Sequence, residues 1–171
     1  KIKFRDNEIV NLNISALVNN NDFSYKIKTD SDKTKITTIY LDHPEPLVKK
    51  YKFIKGFKEG SLDFYSVKKN NISNSELKIY NFKLLEMPVL TKILTLASLQ
   101  GIADILTGEG IRFDEFDMKF TNKKDVMIID EIYSIGPAIS LLMSGYIENK
   151  KLVSLRGTLV PATTINKTIA A

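Results

Sequence analysis

Residues 111–160 read IRFDEFDMKFTNKKDVMIIDEIYSIGPAISLLMSGYIENKKLVSLRGTLV. Apolar and polar residues alternate here with period two, the pattern of strands with one buried face. Four strands are predicted, over Ile111–Thr121, Asp125–Ser134, Ala138–Glu148 and Leu152–Val160. The pieces between them, Asn-Lys-Lys, Ile-Gly-Pro and again Asn-Lys-Lys, have the length of tight antiparallel connections. The reading is a meander.

The same alternation extends upstream. Ser24–Lys28, Lys35–Leu41, Ser61–Val67 and Glu76–Leu85 are further strands. Strict alternation through the last of these puts Lys78, Tyr80, Phe82 and Leu84 on one side, and Leu77, Ile79, Asn81 and Leu85 near the other. Two segments break the pattern. Pro46–Phe53 has Leu47, Val48 and Tyr51 at helical spacing before Gly56. Pro88 to Leu106 is an apolar helix of which Leu90, Leu94, Leu96 and Leu99 cover much of the circumference, leaving a narrow polar stripe of Thr91, Lys92, Thr95, Ser98 and Asp104. A helix so apolar is expected to be buried on most sides, and Gly108 and Gly110 end it. The predicted fold class is α+β: a twisted, curled antiparallel sheet of seven to nine strands, with one long helix near 88–106 and one short helix near 46–53. A chain of 171 residues, 43% hydrophobic and 26% charged, suits a single domain over 1–171. It opens Lys1-Ile2-Lys3-Phe4-Arg5, which is neither an initiator nor a signal sequence, so it is read as a portion of a longer protein.

Composition excludes several chemistries. With no cysteine there is no disulfide framework, thiolate zinc site or thiol nucleophile. The net charge of +5 attracts anions in principle, but the positive charge is almost all lysine, with arginine only at Arg5, Arg112 and Arg156. No Lys/Arg cluster interleaved with aromatics appears, which argues against nucleic acid as a partner.

No set of residues converges on a reaction. His43, the only histidine, stands in the proline turn Leu-Asp-His-Pro-Glu-Pro without a serine or cysteine to activate. Glu115 and Asp117 share a strand face, whereas Asp130 and Glu131, as neighbours, are expected to point to opposite faces. Gly108-Glu109-Gly110 follows a helix instead of preceding one and lacks the Gly-Lys-Ser/Thr of a phosphate loop, so it reads as a cap and turn. Gly136, Pro137 and Gly145 are turn or bulge positions. No enzyme activity, metal or cofactor is expected. What remains is apolar surface: Ile128, Leu141 and Met143 lie in strands apolar on both faces, and one helix covers only part of one face.

The stretch from Met87 through Asn166 resembles the C-terminal region of AsmA-like, YhdP-related envelope proteins of Gram-negative bacteria. The resemblance is carried by Leu94–Gly110 (LTLASLQGIADILTGEG), by Gly-Pro-Ala-Ile at 136–139 and by LRGTLVPATTIN at 155–166. Upstream, the Leu47–Leu62 segment is similar to the family's helix followed by a glycine turn, and the similarity spans roughly 22–171. Thr163 departs from an aromatic that is common in the family, and Glu59-Gly60 stands where a double glycine is usual.

The resemblance implies a periplasmic portion of a long protein tethered to the inner membrane by a segment outside this chain. It also implies an elongated β-groove implicated in moving phospholipid toward the outer membrane. The residues assigned to such a groove or its covering helix are Leu90, Leu94, Leu96, Leu99, Ile128, Leu141 and Met143, with Gly108, Gly110, Gly136 and Pro137 as hinge or turn. The expected partners are phospholipid, the rest of the longer chain, and envelope proteins. The alternative reading is a structural or assembly module of the envelope that docks a partner without carrying lipid. A conduit requires one continuously apolar face, and a docking module a local patch.

Overall fold

In the computed structural model ten strands pair in sequence order, each antiparallel to the next, in one curled sheet. The structure describes residues 1–5, 8–49, 55–96, 98–149 and 151–162. The strands are β1 (Ile2–Arg5), β2 (Glu8–Val18), β3 (Asn21–Thr29), β4 (Lys35–Leu41), β5 (Lys55–Lys69), β6 (Ile72–Glu86), β7 (Ile111–Lys123), β8 (Val126–Ile135), β9 (Ile139–Glu148) and β10 (Leu152–Pro161). The four C-terminal strands fall where the alternation placed them. At the other end β1 and β2 bring the count to ten, where seven to nine were expected.

Hairpin chemistry sets the registers. The β2–β3 loop is Asn19-Asn20 and the β5–β6 loop Asn70-Asn71, all four at positive φ (52°, 63°, 48° and 63°). Two successive left-handed residues make the tight turn that matches strand twist, and asparagine tolerates that region better than other non-glycine residues.

The helical part departs from expectation. Instead of one long helix near 88–106 there are two short ones, α2 (Pro88–Leu96) and α3 (Gln100–Thr107). The first ends in a Schellman cap. Ser98 takes φ 59°, its N–H donates to the Thr95 carbonyl at 3.0 Å, and the Leu99 N–H donates to the Leu94 carbonyl at 2.8 Å. A serine in this role is invisible to a search for glycine stops. The short helix is a single turn, α1 (Glu45–Val48); the remainder of the 46–53 expectation falls on residues 50–53, which, like Ala97 and Thr163, lie outside the described residues.

A crease across three strands changes which side chains share a face. Phe82 pairs with Glu59 and Phe113, and Tyr80 pairs with Ser61 and Glu115, but Gly60, Asn81 and Asp114 between them make no register pair. Gly60 (φ 79°) and Asn81 (φ 52°) adopt left-handed backbone there, and a Cβ on Gly60 would lie 2.5 Å from the Tyr80 carbonyl oxygen. Side-chain parity therefore flips. Phe82 and Leu84 end up on the same face as Leu77 and Ile79, against the strict alternation, and Phe113 and Phe116 share that face too.

The helices pack on this face over one end of the sheet. Leu90, Leu94, Ala103 and Leu106 meet Phe57, Phe82, Leu84, Ile111, Phe113 and Ile139 in a single buried cluster. Phe57, Phe82 and Phe113 stack in series with centroids 5.4 and 5.3 Å apart, and Phe116 meets Phe82 edge-on at 6.5 Å.

Candidate functional site

The register defines one row of side chains that crosses the sheet from β2 to β9: Ile14, Tyr25, Ile39, Phe64, Leu77, Met118, Ile132 and Met143. Each is the direct cross-strand partner of the next, so all lie on the face that carries the helices. At the usual interstrand spacing the row runs roughly 34 Å. Ile14 is exposed and the other seven are half-buried, because neighbouring side chains shield one another while none of the buried helix residues lies over them. The row nearer the helices, from Phe23 through Leu41, Leu62, Ile79 and Phe116 to Leu141, is apolar as well apart from the buried Ser134. The Ser134 hydroxyl is satisfied by donating to the Glu115 carbonyl at 2.8 Å.

The opposite face carries a lattice of ion pairs across β6, β7 and β8. Lys78 lies 3.2 Å from Glu76 and 3.7 Å from Asp117, and Lys119 lies 3.2 Å from Glu131 and 4.0 Å from Asp117. Both lysines are held above their ordinary pKa, Lys78 mainly by its bond to Glu76 and Lys119 mainly by its bond to Glu131. Solvated pairs of this kind add little stability, and their effect is to keep this face hydrated. Two shallow depressions open on it. One of about 240 Å³ is lined by Lys26, Tyr40, Asp63, Tyr65, Glu76 and Lys78 among others, and the second borders Ser15, Leu17, Asp22 and Tyr40. Polar side chains dominate the lining of the first, and the second mixes Leu17 and Phe23 with Asp22 and Tyr40.

Placement of the expected residues is mixed. Leu90 and Leu94 are buried in the cluster beneath the helices, and Leu99 packs against it, so these three are core. Leu96 is 77% exposed, contrary to the expectation of a helix buried on most sides: the break at Ser98 ends α2 and leaves this residue on its outer surface. Leu141 packs on the core cluster, and Met143 belongs to the open apolar row. Ile128 is 44% exposed and pairs with Tyr146 and Thr121, so it lies on the opposite face from Leu141 and Met143. Gly110 is buried at φ 88°, where a Cβ would stand 2.6 Å from the Leu84 carbonyl oxygen. Gly108 caps α3 with φ −94°, Gly136 lies against the Arg112 carbonyl, and Pro137 is an exposed bend. Tyr25, Ile39, Phe64, Leu77 and Met118 were missed as a set; the period-two alternation carried the signal, but only register joins them.

One carboxylate expectation is overturned. A bulge in β8 between Ile129 and Ile132 brings Asp130 and Glu131 to the same face, where Asp130 accepts a hydrogen bond from Thr121 at 3.3 Å and Glu131 engages Lys119. Neither faces a pocket. Among the described residues no group of three or more His, Cys, Asp or Glu is arranged to hold a metal ion, and no helix is long and apolar enough to cross a membrane. His43 lies 3.7 Å from Glu45 in an exposed turn.

Tyr40, beside the first depression, donates to Asp42, and this carboxylate next to the phenol pushes the Tyr40 pKa up to about 12. A pKa raised above the unfolded value stabilises the fold fully below about pH 10 and loses that contribution as pH rises through about 12. An absorbance titration of the tyrosines is expected to show an ionisation near pH 12, and Tyr40→Phe is expected to remove it.

The fold defines the class: a sheet-dominated protein built on one curled antiparallel meander. Comparison with protein-family models, with curated proteins and with solved structures finds no match.

Proposed function

We propose that this chain is part of an AsmA-like, YhdP-related envelope protein and that its apolar face carries phospholipid acyl chains in the periplasm, with the tether to the inner membrane in a segment outside the chain. The observation that carries the reading is the uninterrupted row from Ile14 to Met143, one apolar residue on each of eight adjacent strands. An acyl chain laid along such a row removes its methylenes from water, worth ~0.8 kcal/mol per CH₂. Movement along the row needs no nucleophile and no metal, because each cross-strand step exchanges one apolar contact for another of similar strength. The two helices cover the face beside this row, over Phe57, Phe82 and Phe113.

The second reading, a docking module, draws on a different observation. Ile128, Tyr133, Leu142 and Tyr146 are exposed together on the outer face of β8 and β9, where Ile128 pairs with Tyr146 and Tyr133 with Leu142.

Native mass spectrometry followed by lipid extraction separates the two. Phospholipid is expected to co-purify at defined stoichiometry. Met118→Glu and Leu77→Glu, which place a charge mid-row at half-buried positions, are expected to abolish it while far-UV circular dichroism stays unchanged. Ile128→Glu, on the other face, is expected to leave lipid content as in the wild type. A lipid-free, well-folded wild-type protein defeats the lipid reading.

A further inference from the structure

The apolar face is graded toward the end of the sheet away from the helices. In the middle of the sheet the central row consists of Ile39, Phe64 and Leu77; the next row outward consists of Thr37, Ser66 and Ser75. Beyond it Lys35 on β4 stands directly opposite Lys68 on β5. On β4 and β5 three successive positions on one face thus run from hydrocarbon to hydroxyl to ammonium, while the hydroxyl row continues as Ile27 on β3 and Phe120 on β7. The parity is unambiguous, since the β4–β5 register runs without a break from Lys35↔Lys68 through Ile39↔Phe64.

Two like charges at directly opposed positions repel, and an isolated sheet gains nothing by the arrangement. Neither lysine forms an ion pair with another described residue, although carboxylates are at hand in the adjoining turn: Asp30 is engaged by Lys28 at 3.0 Å and Asp32 by Lys69 at 2.8 Å. Ser75 donates to Ser66 at 2.9 Å, which leaves hydroxyl capacity on Ser66 and Thr37 toward the same place. Further charges stand at both ends of the meander. Its hairpins alternate between the two ends, so Lys33, Lys69, Lys123, Lys124 and Lys151 all fall at the end that carries Lys35 and Lys68. Asp30, Asp32, Asp125 and Glu148 share that end, and the helix end carries both signs, with Lys49 paired to Glu45 and Arg112 to Glu59, so the local lysine pair and not the wider field makes the case.

We propose that Lys35 and Lys68, with the hydroxyl row of Thr37, Ser66 and Ser75, form the headgroup subsite for a phospholipid of net negative charge whose acyl chains lie on the central apolar row. The assignment rests on the lipid reading above and adds to it the polarity of the bound molecule and the charge of its headgroup. An anionic headgroup relieves the repulsion between the paired ammonium groups and takes charge-assisted hydrogen bonds from both. A zwitterionic headgroup brings its own cation and gains less. The headgroup sits on the lysine side of the row, and the chains lie along the row itself.

The test is transfer of fluorophore-labelled phosphatidylglycerol or phosphatidylcholine, with identical acyl chains, from donor vesicles to the whole chain. The chain has no tryptophan to interfere with the readout. Wild-type protein is expected to take phosphatidylglycerol about tenfold better than phosphatidylcholine, the preference shrinking as salt is raised. The double variant Lys35→Gln/Lys68→Gln is expected to take both equally while retaining phosphatidylcholine uptake. Lys124→Gln, at the same end but in a turn, is expected to keep the preference. Equal uptake of the two lipids by the wild type, or a preference that survives the double substitution, overturns the headgroup subsite and leaves the apolar-row reading standing. Uptake of neither lipid overturns both. Circular dichroism and a urea midpoint on each variant exclude misfolding as the cause, and Lys35→Arg/Lys68→Arg is expected to restore the preference.

Discussion

Leu94→Asp is expected to prevent folding of the helix-covered end of the sheet, whereas Leu96→Asp two residues on is expected to leave stability within about 0.5 kcal/mol of the wild type. Leu94 has 0% exposure inside the cluster formed with Phe57, Phe113 and Ile139, and Leu96 is 77% exposed. Among the described residues a carboxylate at 94 would stand inside an apolar cluster, the costliest kind of burial. The milder Leu94→Ala removes the same contacts and is expected to cost about 2–5 kcal/mol. Urea denaturation of the three variants measures the contrast. A helix running unbroken to Leu106 and buried on most sides predicts comparable damage at both positions, so equal destabilisation by the two aspartates refutes the break at Ser98.

Phe82→Ala is expected to cost about 3–5 kcal/mol, the largest effect of any truncation in the sheet. Phe82 is the middle ring of the Phe57–Phe82–Phe113 stack and also receives the edge of Phe116. Its removal opens a cavity bounded by three aromatic rings, and each ring pair loses about 0.5–1.5 kcal/mol beyond area burial. It also takes away the side chain that packs directly beside the crease. A fall in the urea midpoint with an unchanged slope marks a pure loss of stability, and a reduced slope marks local unfolding of the creased strands. Phe4→Ala, at an exposed edge-strand position, is the control with an expected change near zero.

Particular elements show how much of this was legible beforehand. Alternation through Ile111–Val160 was sufficient for four strands in their correct order, because a two-residue period with short polar connectors admits few other structures. The strand 76–85 was located correctly and oriented wrongly. Local alternation carries no information about the left-handed residues at Gly60 and Asn81, which reverse parity only because three strands crease together. The same holds for Asp130 and Glu131, brought to one face by a bulge whose cause is the pairing of β8 with β7 and β9. Ser98 ends a helix in a conformation that serine seldom adopts, and the surrounding hydrogen bonds make it stable there. Of the expected site residues, Met143 alone lies in the open central row; Leu90, Leu94, Leu99 and Leu141 serve the core, Leu96 is on the helix exterior and Ile128 is on the other face.

The amino-acid sequence by itself determined an antiparallel meander and the excess of apolar residues over what one sheet face and a covering helix can hide. These are local properties: each follows from the side-chain period and the conformational preferences of a few adjacent residues. Only the tertiary structure decided which apolar residues stand in one row, that Ile128 and Leu141 are on opposite faces, and that Lys35 and Lys68 stand opposite each other. Those depend on register, and register is a relation between strands that a single strand's alternation does not contain; one shifted residue or one crease moves every side chain beyond it to the other face.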